Sequence, residues 1–222
     1  MKKLIQGIVE FRQKVQTDYR LAFGKLATGQ APDALFIACS DSRVVPNTFA
    51  STNPGELFVL RNIGNIIPPC GCEGISTSDE SEAAALEFSV LILNVFDIIV
   101  CGHSECGAMK ALMDDREKVP YPHLKNWLRH GDEALERLRA GVTLDASLSP
   151  ANQLSQLNVL LQLEHLKSYP AVRERVENGD LLLHGWWFDI AKADVYAFDE
   201  AAKKFILIDE KSAPRLLERL PR

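Results

Sequence analysis

The 222-residue sequence predicts an α/β protein, with a central, mostly parallel β-sheet flanked by helices and an N-terminal helical arm ahead of it. Three observations predict this class. Short runs at 34–38, 57–60 and 98–101 are apolar throughout, the pattern of strands covered on both faces. Stretches with apolar residues three and four apart lie between and after them, so strand alternates with helix, and right-handed crossovers then give parallel neighbours. Gly and Pro punctuate the boundaries.

Taken in order, residues 1–27 place Leu4, Ile8, Phe11 and Val15 at a helical step. Ile5 and Val9 widen that stripe, and Leu21, Ala22 and Leu26 resume it. A helix at the start of a chain has little of its own domain to pack on. An arm over 1–28 is therefore expected to lie across a second subunit, with docking on its own domain as the alternative. Gly29 and Pro32 end it, and the first strand follows. Val45 precedes Pro46 and is biased to an extended conformation, and Pro46 can open a short helix. Pro54-Gly55 is a turn before the second buried strand. From 61 to 78, Gly64, Pro68, Pro69, Gly71 and Gly74 argue against a regular element. A helix over 80–93 follows, with Asp79 as its cap. A strand over 97–101 and a short helix over 108–113 come next. Residues 123–177 read as helical, broken near Gly141 and Pro170, and strands return at 181–188, 194–198 and 205–208. The tail around Pro214, Leu216 and Leu217 is either a short docking helix or a frayed end.

Composition bounds the partners. A net charge of −5 without a long basic run gives no reason to expect nucleic acid. No apolar stretch approaches the roughly 18 residues of a membrane-spanning helix. The basic start Met1-Lys2-Lys3 is followed by Gln6, Glu10, Arg12, Gln13 and Lys14, which interrupt any signal core, so a cytoplasmic protein is expected. Five cysteines, odd and sparse, suit reduced thiols better than a disulfide scaffold.

Two loops carry the chemistry. Cys39-Ser40-Asp41-Ser42-Arg43 follows the first strand and His103-Ser104-Glu105-Cys106-Gly107 follows the third. Sites in open α/β sheets form at that edge. Cys39, His103 and Cys106 make a Cys2His set, which suits catalytic zinc with its fourth position open. The competing structural readings are two small core thiols, or a closed zinc site with Asp41 as fourth ligand. Asp41 and Arg43, two apart, project to one side of an extended segment, where a guanidinium keeps a carboxylate ionised and aimed. Cys70 and Cys72 read as two reduced thiols in a loop, against a redox pair or metal clip. Cys101 reads as core, His184 as a strand residue with a satisfied hydrogen bond, and His123 and His130 as surface helix residues rather than proton shuttles.

The first loop and the stretch 101–107 resemble the two signature motifs of β-class carbonic anhydrases. Gly55-Glu56-Leu57-Phe58-Val59-Leu60-Arg61-Asn62, Gly64-Asn65 and Leu183-His184-Gly185-Trp186 match as well, so the resemblance covers essentially the whole chain. It implies a lyase with one Zn2+ per subunit that interconverts carbon dioxide and bicarbonate through a zinc-bound hydroxide, assembled as a homodimer or as a tetramer of two dimers. Residues 29–222 would form the single α/β zinc-binding catalytic domain. By position, Cys39, His103 and Cys106 match the metal ligands, and Asp41 and Arg43 the catalytic dyad. Gln30 matches a glutamine given across the dimer interface to substrate in plant-like members. Phe58 and Ile63 match apolar walls of the substrate pocket, and Phe88 stands where many relatives carry tyrosine.

One departure separates this chain from a bacterial subgroup that is closed by a noncatalytic bicarbonate. That site uses tryptophan, arginine and tyrosine, and the corresponding residues here are Phe36, Arg61 and Phe188. Two hydrogen-bond donors are lost, and a buried anion is poorly held by one arginine. The expectation is a plant-like enzyme with no bicarbonate-locked state, whose activity rises toward alkaline pH. The rival readings are a carbon disulfide or carbonyl sulfide hydrolase on the same fold, and a non-catalytic zinc-binding module.

Overall fold

Six strands form one sheet in the order β2-β1-β3-β4-β5-β6 in the computed structural model, which describes residues 1–78, 80–218 and 220. They are β1 (Ala34–Cys39), β2 (Leu57–Asn62), β3 (Asp97–His103), β4 (Leu182–Asp189), β5 (Asp194–Asp199) and β6 (Lys204–Leu207). β2, β1, β3 and β4 are parallel, and β5 and β6 continue the sheet antiparallel. The expected fold class is therefore the observed one.

The helices are α1 (Lys2–Glu10), α2 (Gln16–Leu26), α3 (Pro46–Phe49), α4 (Glu80–Glu87), α5 (Gly107–Met113), α6 (Pro122–Leu128), α7 (Asp132–Arg139), α8 (Pro150–Ser168), α9 (Pro170–Glu177) and α10 (Ala213–Leu217). Pro46 opens α3 after an extended Val45, as expected. The tail expected as docking helix or frayed end is the helix α10. The proposed cap Asp79 lies outside the described residues. The helix expected over 80–93 is α-helical only to Glu87, and Phe88–Ile92 continues it with π-type hydrogen bonding.

β1 is buried along its whole length because successive side chains enter two different cores. Leu35 and Ile37 join Ile98, Val100, Val159, Leu166 and Val172 on one face. Phe36 and Ala38 join Ile99, Cys101 and Phe188 on the other. Ile37 is fully buried, so Ile37→Ala is expected to lower the unfolding free energy by about 2–5 kcal/mol in a urea titration. β2 differs from its expectation: it is only half buried, because it is the edge strand and has a neighbour on one side alone. β3 also runs two residues further than the apolar run, through His103, because β4 continues beside it and pairs Gly102 with Trp187 and His103 with Phe188.

The close approach of β3 to α8 depends on Gly102. A Cβ there would stand 2.7 Å from Val159 Cγ2 and 3.2 Å from the Ser155 carbonyl oxygen. The missing side chain lets the last turn of the strand lie against the helix.

The arm forms as α1, a π-type turn over Phe11–Val15, and α2. Neither α1 nor α2 buries a residue, and Leu4, Ile5, Ile8, Val9 and Phe11 are exposed. Leu26 at its end packs over Gly55 in the turn before β2.

Two histidine readings resolve differently. His184 Nε2–H donates to Asp97 Oδ1 at 2.7 Å, the satisfied strand residue expected. His130, expected on the surface, is buried instead, because the short turn after α6 folds it inward beside Trp127. Burial, reinforced by the positive charges of Arg129 and His165, lowers its pKa from 6.5 to about 4. The neutral ring thus contributes stability that is complete above about pH 6.5 and is lost as pH falls toward 4. Unfolding free energy is expected to decline across that window, and His130→Phe is expected to flatten part of the decline in urea titrations at stepped pH.

Candidate metal centre

Cys39 is the last residue of β1, and His103 is the last residue of β3. The two strands are parallel neighbours, so both ligands reach the same sheet edge. Cys106 follows on the turn that leads into α5. Residues 64 and 67 positions after Cys39 thus converge on it, and the Cys39, His103 and Cys106 ligand atoms all lie within 4.8 Å of one another. All three side chains are buried.

The donor set fits a soft divalent cation. His103 Nδ1 lies 2.8 Å from the Ser104 carbonyl oxygen, which can only accept, so Nδ1 carries the proton. That leaves the Nε2 lone pair unprotonated, and Nε2 is buried without a hydrogen-bond partner. A buried acceptor with nothing to accept is costly unless a cation fills the role. The thiols point the same way. Cys39 is held below the ordinary thiol range by hydrogen bonding from Cys106, helped by the Gly64 N–H at 3.4 Å. Cys106, beside the Cys39 charge and buried, is pushed up. Two adjacent thiolates are therefore unfavourable without a cation between them, and a bound soft divalent cation would remove that penalty by displacing the second proton.

Asp41 and Arg43 are brought together by a tight turn and not by an extended segment. The Val44 N–H donates to the Asp41 carbonyl at 3.0 Å, and the Arg43 N–H donates to Asp41 Oδ1 at 3.0 Å. The guanidinium then reaches both carboxylate oxygens, Nε to Oδ1 at 2.9 Å and Nη2 to Oδ2 at 2.7 Å. This fork holds Asp41 well below the usual carboxylate range. Arg43 Nη2 also donates to the Glu105 carbonyl at 3.3 Å, so one side chain joins the two loops. Both carboxylate oxygens are thus engaged by Arg43.

Arg61, Phe36 and Phe188 take distinct places. The Arg61 guanidinium donates to the Cys39 carbonyl at 3.0 and 3.1 Å and to the Asp41 carbonyl at 2.7 Å. Phe36 and Phe188 are buried on either side of Phe49, with ring centroids 5.9 and 4.7 Å from it.

The predicted substrate-wall residues are only partly gathered. Ile63 lines a cleft of about 760 Å3 together with Ser40, Asn62, Glu82, His123 and Trp127. Phe58 and Phe88 stack on each other at 5.8 Å outside that cleft, and Gln30 is exposed in the loop before β1. Cys101 is buried, as expected, and burial drives its thiol upward. Cys70 is half-buried and Cys72 exposed, and both are free thiols.

Sequence reading missed the supports of the centre: Gly64, Arg61 and the polar face of α8. The signal was present in α8. Asn152, Ser155, Asn158 and Gln162 recur at three- and four-residue spacing on a helix otherwise rich in leucine, and the last three are buried.

Comparison with known proteins agrees with this geometry. Residues 34–195 match the family model described as carbonic anhydrase. A carbonic anhydrase of Synechocystis is 41% identical over 213 residues, covering 93% of this chain and 74% of that protein. One from Pseudomonas aeruginosa is 40% identical over 213 residues, covering 95% of this chain and 93% of that protein. The solved β-carbonic anhydrase CcaA superposes with a TM-score of 0.86 at 37% identity, covering 95% of this chain and 93% of that one. A tetrameric β-carbonic anhydrase of Sordaria macrospora superposes with a TM-score of 0.69 at 30% identity, covering 88% of this chain and 92% of that one. No helix among the described residues is long and apolar enough to cross a membrane. With its parallel sheet edge carrying a buried Cys2His group and an Asp–Arg pair, this chain belongs to the carbonic anhydrase family, in its β class, and is a lyase of that family.

Proposed function

We propose that this chain catalyses the reversible hydration of carbon dioxide to bicarbonate and a proton, with one zinc ion per subunit held by Cys39, His103 and Cys106. The observation that carries the reading is the unpartnered, buried Nε2 of His103 facing two thiols beside an ionised Asp41. Zinc held there would supply the Lewis acidity that lets water lose a proton and so become the nucleophile that carbon dioxide hydration needs. Asp41, fixed by Arg43, is an ionised hydrogen-bond acceptor that would orient that nucleophile toward the substrate carbon. Arg43 holds Asp41 ionised, so the acceptor is available at every working pH. Ile63, in the cleft beside Ser40, offers apolar surface of the kind an uncharged, linear substrate needs.

The reading extends to assembly. The exposed apolar stripe of residues 1–28 is an arm for a second subunit, and 29–222 is the catalytic domain. Gln30, next to the arm and exposed, completes the substrate site of the partner in a homodimer, or in a tetramer built from two dimers. Five free thiols fit the reducing cytoplasm.

Stopped-flow hydration of carbon dioxide by the zinc-loaded protein tests the activity, with carbon disulfide and carbonyl sulfide assayed in parallel. Turnover of carbon dioxide is expected; turnover of the sulfur compounds alone overturns the reading. The rate is expected to rise from mildly acid toward alkaline pH, because two thiolates offset the zinc charge and acidify water less than three neutral imidazoles do. A flat profile counts against it.

The chain also lacks the means to lock on bicarbonate. Phe36 and Phe188 offer no donors, and Arg61 already serves the Cys39 and Asp41 carbonyls. Bicarbonate is expected to act as an ordinary product inhibitor. Cooperative inhibition, with Asp41 seen on the zinc in a crystal grown at mildly acid pH, would contradict this.

A further inference from the structure

We infer that one stripe of α8 sets the positions of all three metal ligands, with Asn152, Ser155 and Asn158 each governing a different one. The inference rests on the reading of Cys39, His103 and Cys106 as the zinc ligands. The three polar residues are three apart and wind slowly along the helix. Asn152 Oδ1 accepts from the Glu105 N–H at 2.8 Å, and its Nδ2 donates to Glu105 Oε1 at 3.3 Å. Glu105 is the residue before Cys106 and has a φ of 56°, a conformation that needs holding. Ser155 Oγ donates to the His103 carbonyl at 2.8 Å and accepts from Trp187 Nε1 at 3.2 Å. Asn158 Nδ2 donates to the Gly64 carbonyl at 3.1 Å, and the Gly64 N–H is the group that donates to Cys39 Sγ.

The next turn supports the third contact. Gln162 Nε2 donates to Asn158 Oδ1 at 2.9 Å, and Gln162 Oε1 accepts from the Ile67 N–H at 2.8 Å. Asn158 is thereby fixed with its amide N–H2 toward Gly64. Gly64 has a φ of 79°, and a Cβ on it would stand 3.0 Å from the Ala108 Cβ, so this peptide has little room to be replaced or turned. Ser155, Asn158 and Gln162 are almost fully buried, at 2%, 1% and 0% exposure, where an apolar residue would be the cheaper filling. Each instead contacts the backbone of the segments that carry or serve a ligand. A single rigid helix therefore references three ligands that come from separate places in the chain, which limits how far any one can drift from the other two.

The test uses full-length wild type and the variants Asn152→Ala, Ser155→Ala, Asn158→Leu and, as a control, Val172→Ala. Val172 is buried at α9 in a core cluster that contains none of Cys39, His103 and Cys106. Zinc affinity is measured by competition with a chromogenic chelator, and Co2+ substitution reports ligand geometry through its absorption bands. Each α8 variant is expected to bind zinc about 10–100-fold more weakly and to shift the Co2+ bands, whereas Val172→Ala lowers the thermal midpoint with zinc affinity unchanged. Should Asn158→Leu fail to fold, Asn152→Ala, at a half-buried position, and Ser155→Ala decide the matter. Wild-type affinity and spectra in those two variants overturn the inference, as does equal weakening in Val172→Ala. Wild type that takes up no zinc overturns the ligand assignment together with it.

Discussion

Asp41→Asn is expected to lower the rate of carbon dioxide hydration about 100-fold or more while zinc content stays at one per subunit. The amide has nearly the shape of the carboxylate, so the turn over 41–44 survives. It carries no charge, its N–H2 end repels the Arg43 guanidinium that now grips both oxygens, and it can present a donor where the water needs an acceptor. The loss is therefore in aiming the nucleophile and not in holding the metal. Asp41→Ala is expected to lose at least as much. Wild-type rates in either variant, with zinc bound, would remove Asp41 from the chemistry and favour the non-catalytic reading. The pH dependence has a definite sign. Because Arg43 depresses the Asp41 pKa, the carboxylate stays ionised from mildly acid pH upward, and an acid limb of activity in that range cannot be assigned to it. Arg43→Ala is expected to let the Asp41 pKa return toward its ordinary value of 3.8, so that any acid limb owed to Asp41 moves up to about pH 4, still below the mildly acid range.

Cys106→Ser is expected to abolish zinc retention and with it nearly all activity. The hydroxyl matches the thiol in shape but does not ionise at neutral pH, so the site loses one of its two negative ligands. It also releases Cys39 from the coupling that now holds the two sulfurs to one proton. Zinc content by elemental analysis and stopped-flow rates read the result. Removing zinc from the wild type with a chelator should give the same inactive state, restored by adding zinc alone. Stability should follow occupancy: a ligand at 100 times its dissociation constant stabilises the folded state by about 2.7 kcal/mol. The wild-type thermal midpoint should therefore rise with zinc and that of Cys106→Ser should not. Full activity in zinc-depleted Cys106→Ser would show that the Cys2His group is not the reactive centre.

The fold class, the two loops and the identities of the three soft residues were legible because each is local. An apolar run marks a strand, and a ligand type is a matter of side-chain chemistry. The extent of β3 was less legible, since His103 is in the strand only because β4 runs on beside it. His130 was misread for the same reason: its burial comes from packing after α6, which no helical periodicity records. Asp41 and Arg43 were paired correctly from their spacing, but the spacing suggested an extended segment where the chain makes a turn.

By itself, then, the sequence determined the strands, the loops at their ends and the residue types able to take zinc. Tertiary structure alone decided that Cys39 and Cys106 share one buried space with an unpartnered His103 nitrogen, that Arg61 is engaged by backbone carbonyls, and that α8 bonds to the His103 and Glu105 backbone and to the Gly64 peptide that serves Cys39. The physical reason is distance along the chain. Strand and loop signals lie within a few neighbouring residues, whereas the hydrogen bonding and orientation of the centre are set by groups 22 to 94 residues apart that meet only when the sheet and α8 close on one another.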